Sequence, residues 1–183
     1  MKNDSGNVRS RQDPLRKRYR ESPEEAMITD RAITTGGTEF DPFHGKVVPG
    51  SKDHGVVWSF GIHRAVGGDH DLPNPGDLLA AALATCLDST IRLIADRLGV
   101  SLISLSVEVV AEVDVRGCLL VDRSIPVGFQ KMWCHVALKA AEGTDPQAVQ
   151  MLIAASENSC VNYQTLRAAV PITTSTDVSF GVA

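Results

Sequence analysis

The densest apolar stretch of the chain, LLAAALATCLDSTIRLIADRL (residues 78–98), is apolar on more sides than the single stripe a surface helix needs. Just before it, NPGD gives a complete helix start. Asn74 can cap, Pro75 suits the first helical position, and Asp77 falls three residues after the cap, as the acid does in a capping box. Gly99 supplies the stop. The pattern predicts one long helix over 75–98, with Cys86 in its middle.

The flanking segments change period. SVEVVAEVDV (106–115) alternates cleanly, so 102–115 and about 125–139 read as two long strands. Upstream, 28–35 and 56–62 read as strands, the second (VVWSFGI) rich in β-branched and aromatic residues. Between them GGTEFDPFHGKVVPGSKDHG (36–55) is dense in Gly, Pro, Asp and His and reads as loop or hairpin connection. After the strand pair, TDPQAVQMLIAASENSC opens a helix at Thr144 or Asp145 and breaks at SENSC before another short helix; ITTSTDVSF (172–180) reads as a closing strand. At the start, 1–13 is polar and reads as partly disordered, and 14–26 is charged and helix-compatible, with Ser22-Pro23-Glu24-Glu25 as a helix start. Strands and helices do not alternate strictly, so the fold class is α+β: an extension over 1–27 and one domain over 28–183. Ala80, Ala81, Ala82 and Ala84 would let another element approach the long helix closely, and an intertwined dimer would explain its many apolar sides.

A chain of 183 residues that is 43% hydrophobic can bury a sizeable core in one domain. A net charge of −4 argues against electrostatic capture of nucleic acid or an anionic membrane. The N-terminus departs from that balance: Arg9, Arg11, Arg16, Lys17, Arg18 and Arg20 face only Asp13 over residues 9–20. A solvated extension or a helix packed on the domain accounts for this arm; a nucleic-acid arm is the rival reading. The first 30 residues lack an apolar core and no apolar run reaches the ~18 residues of a membrane span, so the expected location is cytoplasmic.

Cys86, Cys118, Cys134 and Cys160 contain no CxxC pair and are too sparse for a secreted disulfide scaffold. His44, His54, His63, His70 and His135 lack ligand spacing such as HExxH, so no metal is implied. Cys118 and Cys134 fall on or near predicted strands and read as small core or edge residues. A thiol three turns into a helix gains little from the helix dipole, so composition alone makes Cys86 inert filler. Cys160 follows Glu157, Asn158 and Ser159 at a helix start, where free backbone N–H groups would stabilise a thiolate. Together the two cysteines make a candidate redox pair.

NPGDLLAAALATCLDSTIRLIADRLG, a strand pair, SENSCVNYQTL and a closing strand, in that order over roughly 28–181, resemble the OsmC/Ohr family of osmotically inducible and organic hydroperoxide resistance proteins. The resemblance implies an α+β fold with sheets around long central helices, an intertwined homodimer, and two cysteines that reduce organic hydroperoxides. By position, Cys86 resembles the peroxide-attacking cysteine and Cys160 the resolving one. The family also uses an arginine ahead of the long helix, and Arg64, in FGIHRAVGGDHDLPNPGD, matches it; Arg31 is the fallback. Many members carry glutamate directly after Asn-Pro, where this chain has Gly76 followed by Asp77, and proline after the second cysteine, where it has Val161. Asp77 is thus both a catalytic candidate and a helix cap.

The implied reaction needs no metal or organic cofactor, only an external dithiol. Gly76 and Val161 support the alternative, a non-catalytic dimeric scaffold or small-ligand-binding module of the same fold.

Overall fold

The computed structural model describes residues 7–35, 41–50 and 55–178. The elements run α1 (Val8–Glu21), a 3₁₀ turn at Pro23–Ala26, β1 (Ala32–Thr35), β2 (His44–Pro49), β3 (Trp58–Gly61), a 3₁₀ turn at Arg64–Val66, α2 (Pro75–Leu98), β4 (Leu102–Glu112), β5 (Lys131–Ala140), α3 (Pro146–Ser159) and α4 (Val161–Ala168). The strands form two antiparallel sheets, β1-β2-β3 and β4-β5.

The long helix forms where its caps place it. Asn74 accepts from the amides of Gly76 and Asp77, Asp77 accepts from the Asn74 amide, and Gly99 turns left-handed at φ 73°. One stripe of α2 is covered: Leu83, Leu87, Ile91 and Ala95, spaced four apart, form the core with Val100, Leu152 of α3 and Cys160. The inner face of β4-β5 closes over this core through Leu105, Val107, Val109, Cys134, Val136 and Leu138, with Val107 opposite Val136 and Val109 opposite Cys134. The sheet is therefore apolar on alternate residues, as a half-covered antiparallel pair requires. By length and composition α2 could cross a membrane, yet here its apolar stripe packs on protein, and only 22% of its most apolar window is buried within the single chain.

Five expectations are corrected. Residues 8–13 are helical rather than disordered, because Asn7 caps α1 and the helix docks on the end of α2: the Val8 amide reaches Asp96 at 2.7 Å and Arg97 pairs with Asp13 at 2.9 Å. Arg9 meanwhile donates to the carbonyl of Arg97, at the negative end of the α2 dipole. The helix start expected at Ser22 becomes a single 3₁₀ turn.

The region assigned to loop contains β2. Gly45 is there not as a turn residue but because the Phe60 ring, its partner on β3, fills the space a Cβ would take. The strands expected over 102–115 and about 125–139 are shorter than that, ending at Glu112 and starting at Lys131, and the irregular connection between them is tied by one side chain. Gln130 donates to the carbonyls of Pro126 (2.8 Å) and Gly128 (2.6 Å) and accepts from the Asp114 amide (2.6 Å), so β5 starts only at Lys131. Finally, 172–178 forms no strand and is exposed; it has no ladder partner among the described residues, and an extended run needs one to become a strand. The last residues of that expected strand lie outside the described residues.

Because Leu152 is fully buried and joins α3 to the α2 stripe, Leu152→Ala should lower the unfolding free energy by about 2–5 kcal/mol, read from urea midpoints.

Candidate thiol site

Two local features carry the two cysteines to one point. Cys86 lies on α2 next to the buried stripe and is half-buried. Cys160 ends α3 and caps α4, with extended backbone (φ −75°, ψ 113°) that lets the chain turn sharply between the helices. Asn162, two residues on, donates from its amide to the carbonyl of Ala82 at 2.8 Å and so pins α4 to α2 one turn before Cys86. Gln164 donates to the Glu157 carbonyl at 2.8 Å and closes the α3–α4 corner. As a result the Cys160 thiol lies beside that of Cys86, close enough for each to bear on the other's charge, with the hydroxyl of Thr90 nearby. Thr90 donates to the Cys86 carbonyl at 2.7 Å. All four cysteines are free thiols.

The electrostatics correct the reading of Cys160 as a ready thiolate. The Tyr163 N–H does face the sulfur, as a helix start should, and the Thr90 hydroxyl helps in the same direction. Burial outweighs both: Cys160 is fully inaccessible, and desolvation, with Cys86 beside it, pushes its pKa above the ordinary thiol value. Cys160 therefore keeps its proton and Cys86 is the more accessible sulfur. Cys134, on the inner face of β5, is also raised, first by burial and then by Glu157. Cys118 is exposed, its thiol 3.2 Å from the Val115 carbonyl.

The other two candidates sit elsewhere. Arg64 opens the exposed 3₁₀ turn and makes no ion pair with a described residue. Asp77 is committed to the cap, with one oxygen 2.9 Å from the Asn74 amide and 2.6 Å from its side-chain nitrogen. Neither is brought to the two thiols. Both flank a cavity of about 1030 Å³ at the N-terminal end of α2, walled by Ile62, Val66, Ala80, Val109, Val127 and Phe129; Asp77 lines it, whereas neither Cys86 nor Cys160 does.

Phe129, Thr90 and Asn162 were not picked out from the sequence. Thr90 stands one helical turn after Cys86, a spacing that could have flagged it. Phe129 had no signal, yet it accounts for Gly76: a Cβ there would lie 3.0 Å from its ring and 2.9 Å from the Asn74 Oδ1.

A family model described as OsmC-like protein matches residues 68–175, which include α2, both strands of the second sheet, α3 and α4. The chain belongs to the OsmC-like family. Among solved structures it is similar to an OsmC-like protein from Mycoplasma pneumoniae (11% identity, TM-score 0.61, covering 78% of this chain and 89% of that one). It is also similar to organic hydroperoxide resistance proteins from Legionella pneumophila (23%, TM-score 0.56, covering 77% and 90%) and Elizabethkingia anophelis (20%, TM-score 0.58, covering 78% and 91%). At these identities the likeness establishes the OsmC fold. No curated protein sequence matches the chain.

The thiol environments set an order of reactivity. At pH 8, limiting iodoacetamide should label exposed Cys118 first and buried Cys160 last, with the sites resolved by peptide mass mapping; early labelling of Cys160 would contradict the burial described.

Proposed function

We propose that this OsmC-like protein is a thiol peroxidase for organic hydroperoxides. The observation that carries this reading is the contact between a half-buried thiol, Cys86, and a fully buried one, Cys160. That is the pairing a two-cysteine cycle needs, and two structural relatives are named organic hydroperoxide resistance proteins. The Cys86 thiolate attacks the distal oxygen of ROOH. The O–O bond breaks, RO⁻ leaves and takes up a proton as ROH, and Cys86 becomes a sulfenic acid. The Cys160 sulfur, giving up its proton, then displaces the sulfenic oxygen as water and forms the Cys86–Cys160 disulfide. A small dithiol reduces this bond by exchange and is itself oxidised to a disulfide. Sulfur carries the oxidation, so no metal or organic cofactor takes part. Location in the cytoplasm, where dithiols are kept reduced, is part of the same proposal.

Arg64 is the cation in this reading, its guanidinium offering forked donors to thiolate and peroxide oxygen. Within one chain the distance is against it. Cys86 is eleven residues into α2, about 17 Å along the axis at 1.5 Å per residue, and Arg64 belongs to the loop before the helix. We therefore assign Arg64 to the Cys86 of a second copy, in a homodimer that covers the exposed apolar side of α2, where Leu79 is 39% and Leu93 42% exposed. Asp77 serves as the cap that holds the start of α2 beneath that loop.

One equivalent of cumene hydroperoxide should lower the intact mass by two hydrogens, mapped to Cys86–Cys160. Cys86→Ser should abolish peroxide consumption, whereas Cys160→Ser should leave the first turnover intact and strand Cys86 as sulfenic or over-oxidised acid. Equal loss of the first turnover in both variants would contradict the roles, and no Cys86-dependent turnover would leave the scaffold or ligand-binding reading. Arg64→Lys should reduce peroxide reactivity far more than thiol alkylation, since a point charge cannot reproduce the fork. Sedimentation of a compact, active monomer at micromolar concentration would rule out the two-chain site.

A further inference from the structure

The loop that carries Arg64 is wound on itself but is fastened to the sheet by a different residue. Inside the loop, the His63 carbonyl accepts from the amides of Val66 (3.0 Å) and Gly68 (3.2 Å), and the Ile62 carbonyl accepts from His70 (3.1 Å). The His63 ring accepts from the Ala65 amide at 2.9 Å and rests against the His70 ring at 4.2 Å. Gly68 is required, because the Ile62 carbonyl occupies the position of any Cβ. These bonds shape the loop without locating it.

The backbone bond from the Gly61 amide of β3 to the Pro73 carbonyl (3.1 Å) ties the loop's far end to the sheet, and the side-chain fastening is His44, on β2 directly opposite Gly61. Its Nδ1 lies 2.9 Å from Asp41, and its Nε2 lies 3.1 and 3.2 Å from the two oxygens of Asp71 and 4.0 Å from Asp69. Asp41 is itself held by the amides of Phe43 (2.8 Å) and His44 (3.2 Å). Asp69 and Asp71 belong to the Arg64 loop, six residues before α2 begins and four. The carboxylates approach opposite ring nitrogens, so they do not converge on one point as metal ligands would.

We propose that His44 is a positioning residue, a charged clamp between Asp41 and Asp71 that holds the Arg64 loop against β2 and so sets where Arg64 is presented. The role of Arg64 rests on the peroxidase reading above; the clamp itself does not. A ring with a carboxylate on each nitrogen satisfies both only when both nitrogens carry protons. Losing one proton aims a lone pair at a carboxylate and opens one side. Among the described residues, the charged groups facing His44 are Asp41 from its own side and Asp69 and Asp71 from the loop, while β3 presents only Gly61. Consistent with this, hydrogen bonding to Asp41 and then to Asp71 raises the His44 pKa, and that of Asp41 is lowered, first by the Phe43 amide and then by His44. A raised histidine value means the clamp is complete below the ordinary histidine pKa and is lost as pH rises through the raised one. On the acid side, a lowered Asp41 keeps its share above the ordinary aspartate value and loses it as pH falls through its own folded value.

Amide hydrogen exchange on the full chain tests the clamp directly. His44→Gln and, separately, Asp71→Asn should lower protection of residues 62–71 by about tenfold at pH 6, with protection at Ile91–Ala95 of α2 unchanged as a control for folding. Wild-type protection in the loop should fall toward that of the variants as pH rises through the His44 transition, and His44→Gln should lack that transition. In single-turnover oxidation of Cys86 by cumene hydroperoxide, His44→Gln should slow the reaction about tenfold in the wild type and not at all in an Arg64→Ala background. Unchanged loop protection, or an equal fall with and without Arg64, would overturn the proposal. If Arg64→Ala itself leaves peroxide oxidation intact, the assigned role of Arg64 fails, and the exchange measurement still decides whether the clamp exists.

Discussion

The buried stripe of Leu83, Leu87, Ile91 and Ala95 fixes the rotation of α2, and the candidate site depends on that rotation. Cys86 precedes Leu87 by one position, about 100° around the helix axis. It therefore falls at the edge of the covered face, close enough to the core for contact with Cys160 and open enough to be half-exposed. A stripe shifted by one residue would bury Cys86 completely or turn it away from α4. The Asn162–Ala82 hydrogen bond reinforces the same geometry by tying α4 to the helix just above the thiol. Packing that looks purely structural is thus what brings the two sulfurs together.

In the proposed cycle, burial would separate the roles of two chemically identical groups. Cys160 has the better local electrostatics, with the Tyr163 amide and the Thr90 hydroxyl aimed at it, but full desolvation outweighs them and keeps it protonated. A sulfur that keeps its proton and is sealed from solvent is a poor first nucleophile for a dissolved peroxide. It is well placed to condense with a sulfenic acid formed beside it, since no diffusion is needed and water is excluded. The free amide at the helix start does favour the Cys160 thiolate, as its position implies, but burial outweighs it.

Much of this was legible in the chain because local rules agree there. Asn74, Pro75, Asp77 and Gly99 bound α2 at the positions the capping rules give, and the order Cys86, strand pair, Cys160 sufficed for the family resemblance. What was not legible depends on long-range contacts. Gly45 lay in a stretch read as loop or hairpin until the Phe60 ring was seen across the strand, and Gly76 stood out only as a departure from the family pattern until the Phe129 ring was found beside it. In both cases the absent side chain is explained by an aromatic ring far away in sequence. Gln130 ends the β4–β5 connection through three backbone bonds that no periodicity announces. His44 was set aside for want of metal-ligand spacing, because its carboxylate partners come from either side of the sheet rather than from one motif.

The uncovered side of α2 differs from an ordinary solvated helix face in how its polar atoms are arranged. Thr85 and Ser89 are exposed, yet their hydroxyls donate within the helix, to the carbonyls of Ala81 at 2.9 Å and Thr85 at 2.7 Å. Asp88 and Arg92 pair with each other at 2.6 Å on the same helix. Polar groups already partnered lose little when water is removed, whereas unpartnered ones lose a hydrogen bond each. Between them lie Ala81 and Ala82, small enough for a second backbone to approach, with Leu79 and Leu93 to contribute apolar area. Covering this face would gain apolar area, while burying the Asp88–Arg92 ion pair would cost desolvation. A second α2 laid against it would present the same small residues and the same hydroxyls bonded within their own helix.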